Sequence, residues 1–271
     1  MKVFDSFTGE LPVMMSDTEI PEPEDIQDGM RSIYFGTEGL RSAVLRFLTE
    51  ALQGNAQQLL LYSDEEQGWM TEDAAYLKKW AALMTACVRN GTQIRIIHNV
   101  DRDLGEMIAA IKSWLPLYTL GRIDSRYSTL LRGERFFHTV FLWPGRACIK
   151  AAGVRGTQAE GIYHYYSGQR ELGICEQEYR RLLENTYPLI KTAAVDPVEE
   201  NGFRMLPMPE TPYRNVRLRI GREYVEITYV SNPSRGFRFT HPLLCRAFRE
   251  YADMLMNRPA DEAVPNASPS R

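Results

Sequence analysis

Two short apolar runs, each followed by polar residues and then by a helical pattern, constrain the fold of this chain most strongly. The first run covers residues 59–62 and the second is centred on residues 94–97. Between them, apolar side chains recur every three or four residues from Leu77 to Val88, which is the period of a helix buried on one side. A strand–helix–strand–helix order with short connections is typical of parallel strands covered by helices. The sequence therefore predicts an α/β domain whose sheet is parallel or mixed.

Local capping signals give the expected helix ends. Thr37 is the predicted N-cap of a first helix, and Thr71 is the predicted N-cap of a second helix that stops at Asn90-Gly91. Asp103 and Glu106 have the spacing of a capping box at the start of a third helix. The first helix is expected to bury one apolar face, formed by Leu40, Val44, Phe47, Leu48 and Ala51.

Composition along the chain predicts four regions. Residues 1–32, rich in acids and prolines near their end, are expected to form an extended leader, and residues 33–191 the α/β domain. Three further segments are interpreted as strands, at 136–143, 147–154 and 161–167, and residues 175–191 as a closing helix. Residues 192–257 are expected to hold a linker and a small hairpin–helix unit packed on the domain, with Thr240 as the helix cap. Residues 258–271 are expected to be a disordered tail.

Overall charge and targeting signals exclude several function classes. The formal net charge of −3 gives no basic field for nucleic acid, so direct nucleic-acid binding is not expected. The N-terminus lacks a signal peptide and no apolar run reaches membrane-spanning length, which predicts a cytoplasmic protein without a membrane partner. The four cysteines lack any metal-ligand spacing and lie among apolar residues, so buried free thiols are expected.

Polar side chains follow both predicted strands. Ligands of parallel sheets tend to bind outside the carboxyl ends of the strands, where loops and helix N-termini converge. If the two strands are neighbours, the two polar groups face each other across this edge. The predicted ligand-binding residues are Ser63, Asp64, Glu65, Trp69, His98, Asp101, Arg102 and Asp103.

A plain structural interpretation of the same residues stays open. Asp101 and Asp103 can serve only as helix caps, and His98 only as a hydrogen-bonding group at a strand end. A carboxylate-rich pocket would suit a divalent or organic cation, but the acids match no recognised metal motif, so no metal site and no cofactor are predicted. Trp80 has the spacing of a core residue, whereas Trp69 follows Gly68 in a loop and is the better pocket candidate.

Three segments resemble the effector region of clostridial helix-turn-helix transcriptional regulators. They are "SDEEQGWMTEDAAYLKKWAALM", "IRIIHNVDRDLGEMIAAIKSWLPLYTLGRI" and "FTHPLLCRAFREYADML". The resemblance covers roughly residues 36–255. It implies a role in transcriptional regulation, in which a separate short domain contacts DNA. Only the acidic, proline-containing leader precedes the resembling region here.

The chain also resembles, more distantly, the phospholipase D-like folds. The active strand of those folds has the pattern His-x-Lys-x4-Asp, and the nearest counterpart is "HTVFLWPGRACIKAAG". His138 matches the histidine, but Val140 occupies the lysine position and Gly145 the aspartate position. Since phosphodiester transfer in that family needs the histidine nucleophile and a phosphate-binding lysine, the resemblance implies the fold without the activity.

These observations predict a non-catalytic ligand-sensing or dimerisation module linked to transcriptional regulation and lacking its own DNA-binding headpiece. The expected partners are a small ligand and either a helix-turn-helix protein or a second copy of the chain. One alternative is a phosphodiesterase or nuclease that uses His138 or His98. Another alternative is a plain protein-interaction subunit.

Overall fold

The computed structural model describes residues 33–102, 105–107, 114, 117, 122–128, 133–193, 216–221, 223–229 and 235–256. The described chain divides into two compact units, one ending at Lys191 and the other beginning at Thr192. The predicted leader and tail lie outside the described residues, as does most of the predicted linker after Ala193 and of the third helix.

An eight-stranded mixed sheet forms the centre of the first unit. Its order is β1-β7-β6-β5-β2-β3-β4-β8. Strands β2, β3 and β4 are parallel to one another, whereas the other neighbours are antiparallel. The strands are β1 (Ile33–Phe35), β2 (Gln58–Ser63), β3 (Gln93–His98), β4 (Ile123–Ser128), β5 (Phe136–Trp143), β6 (Ala147–Val154), β7 (Ile162–Tyr166) and β8 (Thr186–Pro188). The predicted α/β class with a mixed sheet is confirmed.

Helices cover both faces of this sheet. They are α1 (Gly36–Gln53), the single turn α2 (Gly68–Thr71), α3 (Ala74–Arg89) and α4 (Gln169–Glu184). Val140 and Cys148 pack with Tyr179 of α4. Tyr165, which points to the opposite face, donates a hydrogen bond to Glu50 of α1. None of the helices in the described ranges is long and apolar enough to cross a membrane.

The apolar faces of α1 and α3 are buried as the helical period predicts. In α1 all five predicted core residues are buried, and in α3 Trp80 is buried as expected. The four cysteines are also buried, which confirms that prediction. Two of them, Cys148 of β6 and Cys175 of α4, lie in one hydrophobic cluster.

The predicted start of α1 at Thr37 is wrong by two positions. The N-cap is Phe35, whose side chain makes no capping hydrogen bond. Gly36 has φ +65°, and a Cβ there would lie 2.6 Å from the carbonyl oxygen of Ala159. Its N–H donates to the Gly161 carbonyl at 2.8 Å, so a contact with a distant segment, rather than a side-chain cap, determines where this helix begins.

The predicted start of α3 at Thr71 is also wrong. Asp73 is the N-cap, and its Oδ1 accepts hydrogen bonds from the N–H groups of Ala75 and Tyr76 at 2.8 and 3.0 Å. Aspartate is as good an N-cap as threonine, and residues 68–71 form the separate turn α2. The stop at Asn90 is confirmed.

The closing helix of the first unit begins and ends earlier than predicted. It covers Gln169–Glu184, and the segment expected to continue it forms β8 instead. Arg126 of β4 holds β8 in place at the edge of the sheet. Its guanidinium donates to the Thr186 hydroxyl at 2.8 Å and to the Thr186 carbonyl at 3.0 Å.

The second unit is a four-stranded sheet with one helix. Its strands are β9 (Ile190–Ala193), β10 (Val216–Ile220), β11 (Val225–Tyr229) and β12 (Arg235–Phe239), in the order β10-β11-β12-β9. The helix is α5 (Pro242–Met256). The β10–β11 hairpin was predicted, whereas β12 was not. The helix begins directly after His241 and not after the predicted cap, Thr240. The His241 carbonyl accepts the first helical hydrogen bond, from the Cys245 N–H.

Candidate functional site

The carboxyl ends of β2 and β3 lie side by side, as the site prediction requires. Leu61 pairs with Ile96 and Tyr62 with Ile97 in parallel register. Strand β5 runs antiparallel on the other side of β2, where Ser63 pairs with Thr139. The loop after Ser63 therefore lies between the carboxyl end of β3 and the start of β5.

Glu65 is held inside this loop by hydroxyl groups. Its carboxylate accepts hydrogen bonds from the Thr139 hydroxyl and, at 2.8 Å, from the Tyr163 hydroxyl. The Ser63 hydroxyl lies 2.9 Å from that of Thr139 and accepts from the Glu65 N–H at 3.3 Å. Because the Thr139 proton goes to Glu65, Ser63 is the donor to Thr139. The hydrogen bonds form a closed ring from the Glu65 N–H back to its own carboxylate.

Asp64 is buried and bound to Arg155. The Arg155 Nη2 lies 3.0 Å from Asp64 Oδ2, and Nη1 donates to the Asp64 carbonyl at 2.6 Å. Asp64 Oδ1 accepts from the His138 N–H at 2.6 Å, and the Asp64 N–H donates to the His138 carbonyl at 3.1 Å. The pairing of β2 with β5 thus continues one residue beyond the end of β2.

Arg102 joins the segment after β3 to the loop after β2. Its guanidinium donates to the carbonyls of Glu65 at 2.7 Å and Ser63 at 3.2 Å, and to the Glu106 carboxylate at 3.0 Å. The arginine side chain is only 5% exposed, so its charge is turned inward. We call the whole arrangement the strand-end cluster, and it comprises Ser63, Asp64, Glu65, Arg102, Glu106, Thr139, Arg155 and Tyr163.

Burial shifts the protonation equilibria of this region. It raises the pKa of Glu65 above the usual carboxyl value, although the hydrogen bonds from Thr139 and Tyr163 oppose the shift. Burial and the nearby Asp64 raise the pKa of Tyr62 to about 12. Burial and the charge of Arg102 lower the pKa of His98 to about 3. His98 is therefore uncharged at neutral pH.

His98 and its neighbours occupy the helix-covered side of the same edge. The His98 ring meets Trp114 edge-on, with 5.7 Å between ring centroids, and Trp114 meets Trp80 in the same way at 5.1 Å. Asp101 is half-buried in the segment after β3. Asp103 lies outside the described residues.

Trp69 is placed as a packing residue. Its ring lies 6.2 Å from that of Phe141 in β5 and 6.0 Å from that of Tyr76 in α3. Its carbonyl accepts a hydrogen bond from Arg41 at 2.7 Å. Trp69 thus fills the space between the sheet and its helices.

Among the described residues, three buried polar atoms near the strand ends lack a well-formed hydrogen bond. They are Asn99 Nδ2, directly after β3, Gln67 Oε1, at the end of the loop after β2, and Arg155 Nη2, which lies 3.0 Å from Asp64 Oδ2. The Asn99 amide interacts with the Tyr62 hydroxyl without a well-formed hydrogen bond. Asn99 is 6% exposed. One donor and one acceptor are thus buried in neighbouring loops, where most polar groups are paired.

The acids of the strand-end cluster are occupied by protein groups. Asp64 binds Arg155, Glu65 binds two hydroxyls and Glu106 binds Arg102. Among the described residues, no group of three or more histidine, cysteine, aspartate or glutamate side chains is arranged to hold a metal ion. A cation would therefore have to displace existing partners.

Sequence reasoning missed three of the eight residues of the strand-end cluster. Thr139, Arg155 and Tyr163 come from three other strands or their ends, and no local motif marks them. Thr139 occupies an ordinary core-facing position of β5, and no spacing distinguishes Arg155 from the other basic residues in the middle of the chain. Only knowledge of which strands are neighbours in the sheet would identify these three residues.

Comparisons with known proteins give no family for this chain. No family model matches it, and no curated protein matches it. Among solved structures, it is similar to the archaeal chromatin protein TrmBL2, whose structure shows a novel mode of DNA binding, with a TM-score of 0.39 and 12% identity. The match covers 58% of this chain and 53% of that chain, so the chain spans about half the length of that protein. A similarity this low carries no argument about function, and the resemblances to clostridial regulators and phospholipase D-like folds stay predictions.

Proposed function

We propose that the first unit is a non-catalytic, cytoplasmic ligand-sensing module that acts in transcriptional regulation. The observation that carries the proposal is the burial of two poorly satisfied polar atoms in the segments that follow β2 and β3: Gln67 Oε1 has no hydrogen-bond partner, and Asn99 Nδ2 makes only an imperfect contact with the Tyr62 hydroxyl. A buried polar group without a partner costs about 1–3 kcal/mol, so a ligand that supplies an acceptor and a donor would recover this energy. The regulatory setting rests on the resemblance of the three sequence segments.

Arg102 is the group through which binding would be sensed. It holds the loop after β2 through two backbone carbonyls, and it holds the segment after β3 through Glu106. Because Asn99 is buried, a ligand reaches it only if these loops separate. Binding would exchange the Arg102 hydrogen bonds for ligand contacts and thereby change the spacing of the two loops.

The charges favour a small polar ligand of low net charge. Asp64 and Glu106 each face an arginine, and the raised pKa of Glu65 reduces its tendency to ionise. Two cations thus balance two anions in the strand-end cluster. A highly charged ligand would leave an excess charge at a buried site, which is costly.

Two positions argue against phosphodiester transfer. His138 is exposed at the start of β5, but Val140, at the lysine position, is 1% exposed and packs with α4. Gly145, at the aspartate position, lies in the turn between β5 and β6 with φ +70°. Neither supplies a charge for binding a phosphate, so the enzyme alternative lacks the groups that its chemistry needs.

A thermal-shift screen tests the proposal. The full chain is heated with divalent metals, nucleotides, amino acids or polyamines, because a ligand of the folded state raises Tm. We expect at least one small polar compound to raise Tm in the wild type and in Asn90→Ala, but not in Asn99→Ala. Asn90 is a matched control, since it lies beyond the opposite end of β3 and is exposed. The proposal fails if no compound acts, or if both variants respond as the wild type does.

A further inference from the structure

Two cysteines from different elements lie together beneath α4. Cys148 of β6 and Cys175 of α4 are 0% and 2% exposed, and both belong to the hydrophobic cluster between this helix and the sheet. A hydrogen bond joins their thiol groups. No sequence motif predicts this contact, because the two cysteines are far apart in the chain and belong to no paired-cysteine pattern. The fold thus brings together two groups that can form one covalent bond.

An ion pair beside the thiols fixes the position of α4 over β6. The Lys150 ammonium binds the Glu178 carboxylate. Lys150 lies two residues after Cys148, so both side chains point to the same face of β6. Glu178 lies about one helical turn after Cys175, so both lie on the same side of α4. The thiol pair and the ion pair are therefore neighbouring contacts between the same strand and the same helix.

The two thiols differ in reactivity. The hydrogen bond from Cys148 and the positive charge of Lys150 lower the pKa of Cys175, while burial opposes this shift. The same hydrogen bond, together with burial, raises the pKa of Cys148. Because the thiolate and not the thiol is the nucleophile, Cys175 is the group that reacts first with an oxidant. Cys148 then lies in position to attack the oxidised sulfur.

The ion pair also brings solvent to one side of the thiol pair. Lys150 and Glu178 each keep 32% of the side chain exposed. Ile174, which directly precedes Cys175 in α4, is 55% exposed. This side of the helix gives a small oxidant the shortest way to the two sulfur atoms, whereas a bulky reagent meets a packed surface. The site therefore favours an oxidant close to water in size, such as hydrogen peroxide.

We propose that Cys148 and Cys175 form a disulfide when the protein meets a peroxide, which makes the pair a redox-sensitive switch within the first unit. The Cys175 thiolate attacks one peroxide oxygen, the O–O bond breaks, and the leaving hydroxide takes up the proton that Cys175 released. Cys175 is then a sulfenic acid. The Cys148 sulfur attacks the Cys175 sulfur, the S–O bond breaks, and the departing hydroxide takes the Cys148 proton. The two thiols are oxidised to one disulfide, and the peroxide is reduced to two waters.

The disulfide changes how α4 is held on the sheet. In the reduced protein, apolar packing, the Lys150–Glu178 ion pair and the Tyr179 hydroxyl hold the helix, and this hydroxyl donates to the Arg95 carbonyl at 3.2 Å. The disulfide adds a covalent link between β6 and α4 and restricts the unfolded chain. Oxidation should therefore raise the Tm of the protein, and a thiol reductant should reverse the change.

Thiol counting on the full chain tests the inference. The reduced protein is treated with excess hydrogen peroxide, unfolded in the presence of an alkylating reagent and weighed by mass spectrometry. We expect the wild type to fall from four alkylated cysteines to two, and peptide mapping to find Cys148 linked to Cys175. Cys87 and Cys245 are internal controls, because each is buried and donates to a backbone carbonyl. A thiol reductant should restore all four thiols and the original Tm.

Two variants separate the roles of the cysteines. Cys148→Ala should form no disulfide and should carry a sulfenic acid at Cys175, which dimedone traps. Cys87→Ala is the matched control, because it makes the same change at a buried cysteine of α3, and it should still form the disulfide.

Three results would overturn the inference. They are a wild type that keeps four free thiols, a disulfide that joins other cysteines or two chains, and a Cys148→Ala variant that loses thiols to a disulfide as the wild type does. The peptide map of the wild type does not depend on any variant folding. Since no ligand is added, a failure here leaves the thermal-shift test of ligand sensing unaffected.

Discussion

The guanidinium group of Arg155 lies 3.0 Å from Asp64 Oδ2 and also donates to the Asp64 carbonyl. Ninety residues separate these two partners along the chain, and both side chains are largely buried. The ion pair joins the end of β6 to the loop after β2, and it neutralises a carboxylate that has lost its water.

Removal of Arg155 should destabilise the first unit strongly. Arg155→Met leaves the buried Asp64 carboxylate without its cation, which costs about 3–5 kcal/mol for a pair of this kind. Urea unfolding followed by tryptophan fluorescence measures the loss. Arg170→Met, at an exposed arginine of α4, should change the unfolding free energy by less than about 0.5 kcal/mol. Equal effects of the two variants would contradict this role of the ion pair.

The pH dependence of stability should reveal the raised pKa of Glu65. A folded-state pKa above the unfolded one means that stability is complete at low pH and falls as pH rises through the two values. Glu65→Gln cannot ionise, so its unfolding free energy should improve relative to the wild type as pH rises above the ordinary carboxyl pKa of 4.5. Unfolding at several pH values measures the difference. Glu66→Gln, at the exposed neighbouring residue, is the matched control variant.

His98 should remain neutral in the native protein. Its folded pKa of about 3 lies below the usual value of 6.5, so it contributes stability above pH 6.5 that is lost as pH falls towards 3. In nitrogen-detected NMR spectra, the His98 signals should not titrate between pH 5 and pH 8. A midpoint within that interval would show that the ring is more solvated than the structure indicates.

Arg102→Lys should loosen the loop after β2. A lysine ammonium cannot reach three acceptors with the geometry of a guanidinium, so hydrogen bonds worth about 1–2 kcal/mol are lost. The Asp64 and Glu65 amides should then exchange with solvent deuterium at least tenfold faster. Arg46→Lys in α1, where the arginine binds Glu50 and Tyr34, should leave these two amides unchanged. Identical exchange in both variants would exclude Arg102 as the link between the loops.

The cysteines should resist labelling in the folded state. All four are buried, so an aqueous thiol reagent should modify almost none of them within minutes. The same reagent in denaturant should modify all four. Rapid modification of the native protein would place a thiol at the surface and contradict the packing of Cys148 and Cys175 between β6 and α4.

Periodic apolar patterns were sufficient to predict two of the three parallel strands of the sheet, whereas β4, whose sequence IDSRYS is mostly polar, was not predicted. Strands β2 and β3 and helices α1 and α3 follow from local residue spacing, because each has a buried face long enough to be recognised. Strands β1 and β8 were not predicted, since three residues carry too little pattern. The helix starts at Thr37 and Thr71 were misplaced because contacts with Gly161 and the Asp73 cap competed with the threonine signals.

The sequence predicted only the part of the candidate site that comes from the segments following β2 and β3. Ser63, Asp64, Glu65 and Arg102 follow two consecutive strands, so their proximity could be inferred from a parallel pair. Thr139, Arg155 and Tyr163 come to the same place through antiparallel pairings, whose partners no local spacing specifies. These three residues bind the carboxylates of Asp64 and Glu65.

The short strands at both ends of the large sheet limit how assemblies of this chain can grow. β1 and β8 have three residues each, and β8 includes Pro188, which has no N–H to donate. Exposed edges of a sheet are the usual route by which chains add one after another into fibres. With so few backbone groups at either edge, another chain that adds a strand to this sheet gains few hydrogen bonds. Growth of fibres through the large sheet is therefore disfavoured.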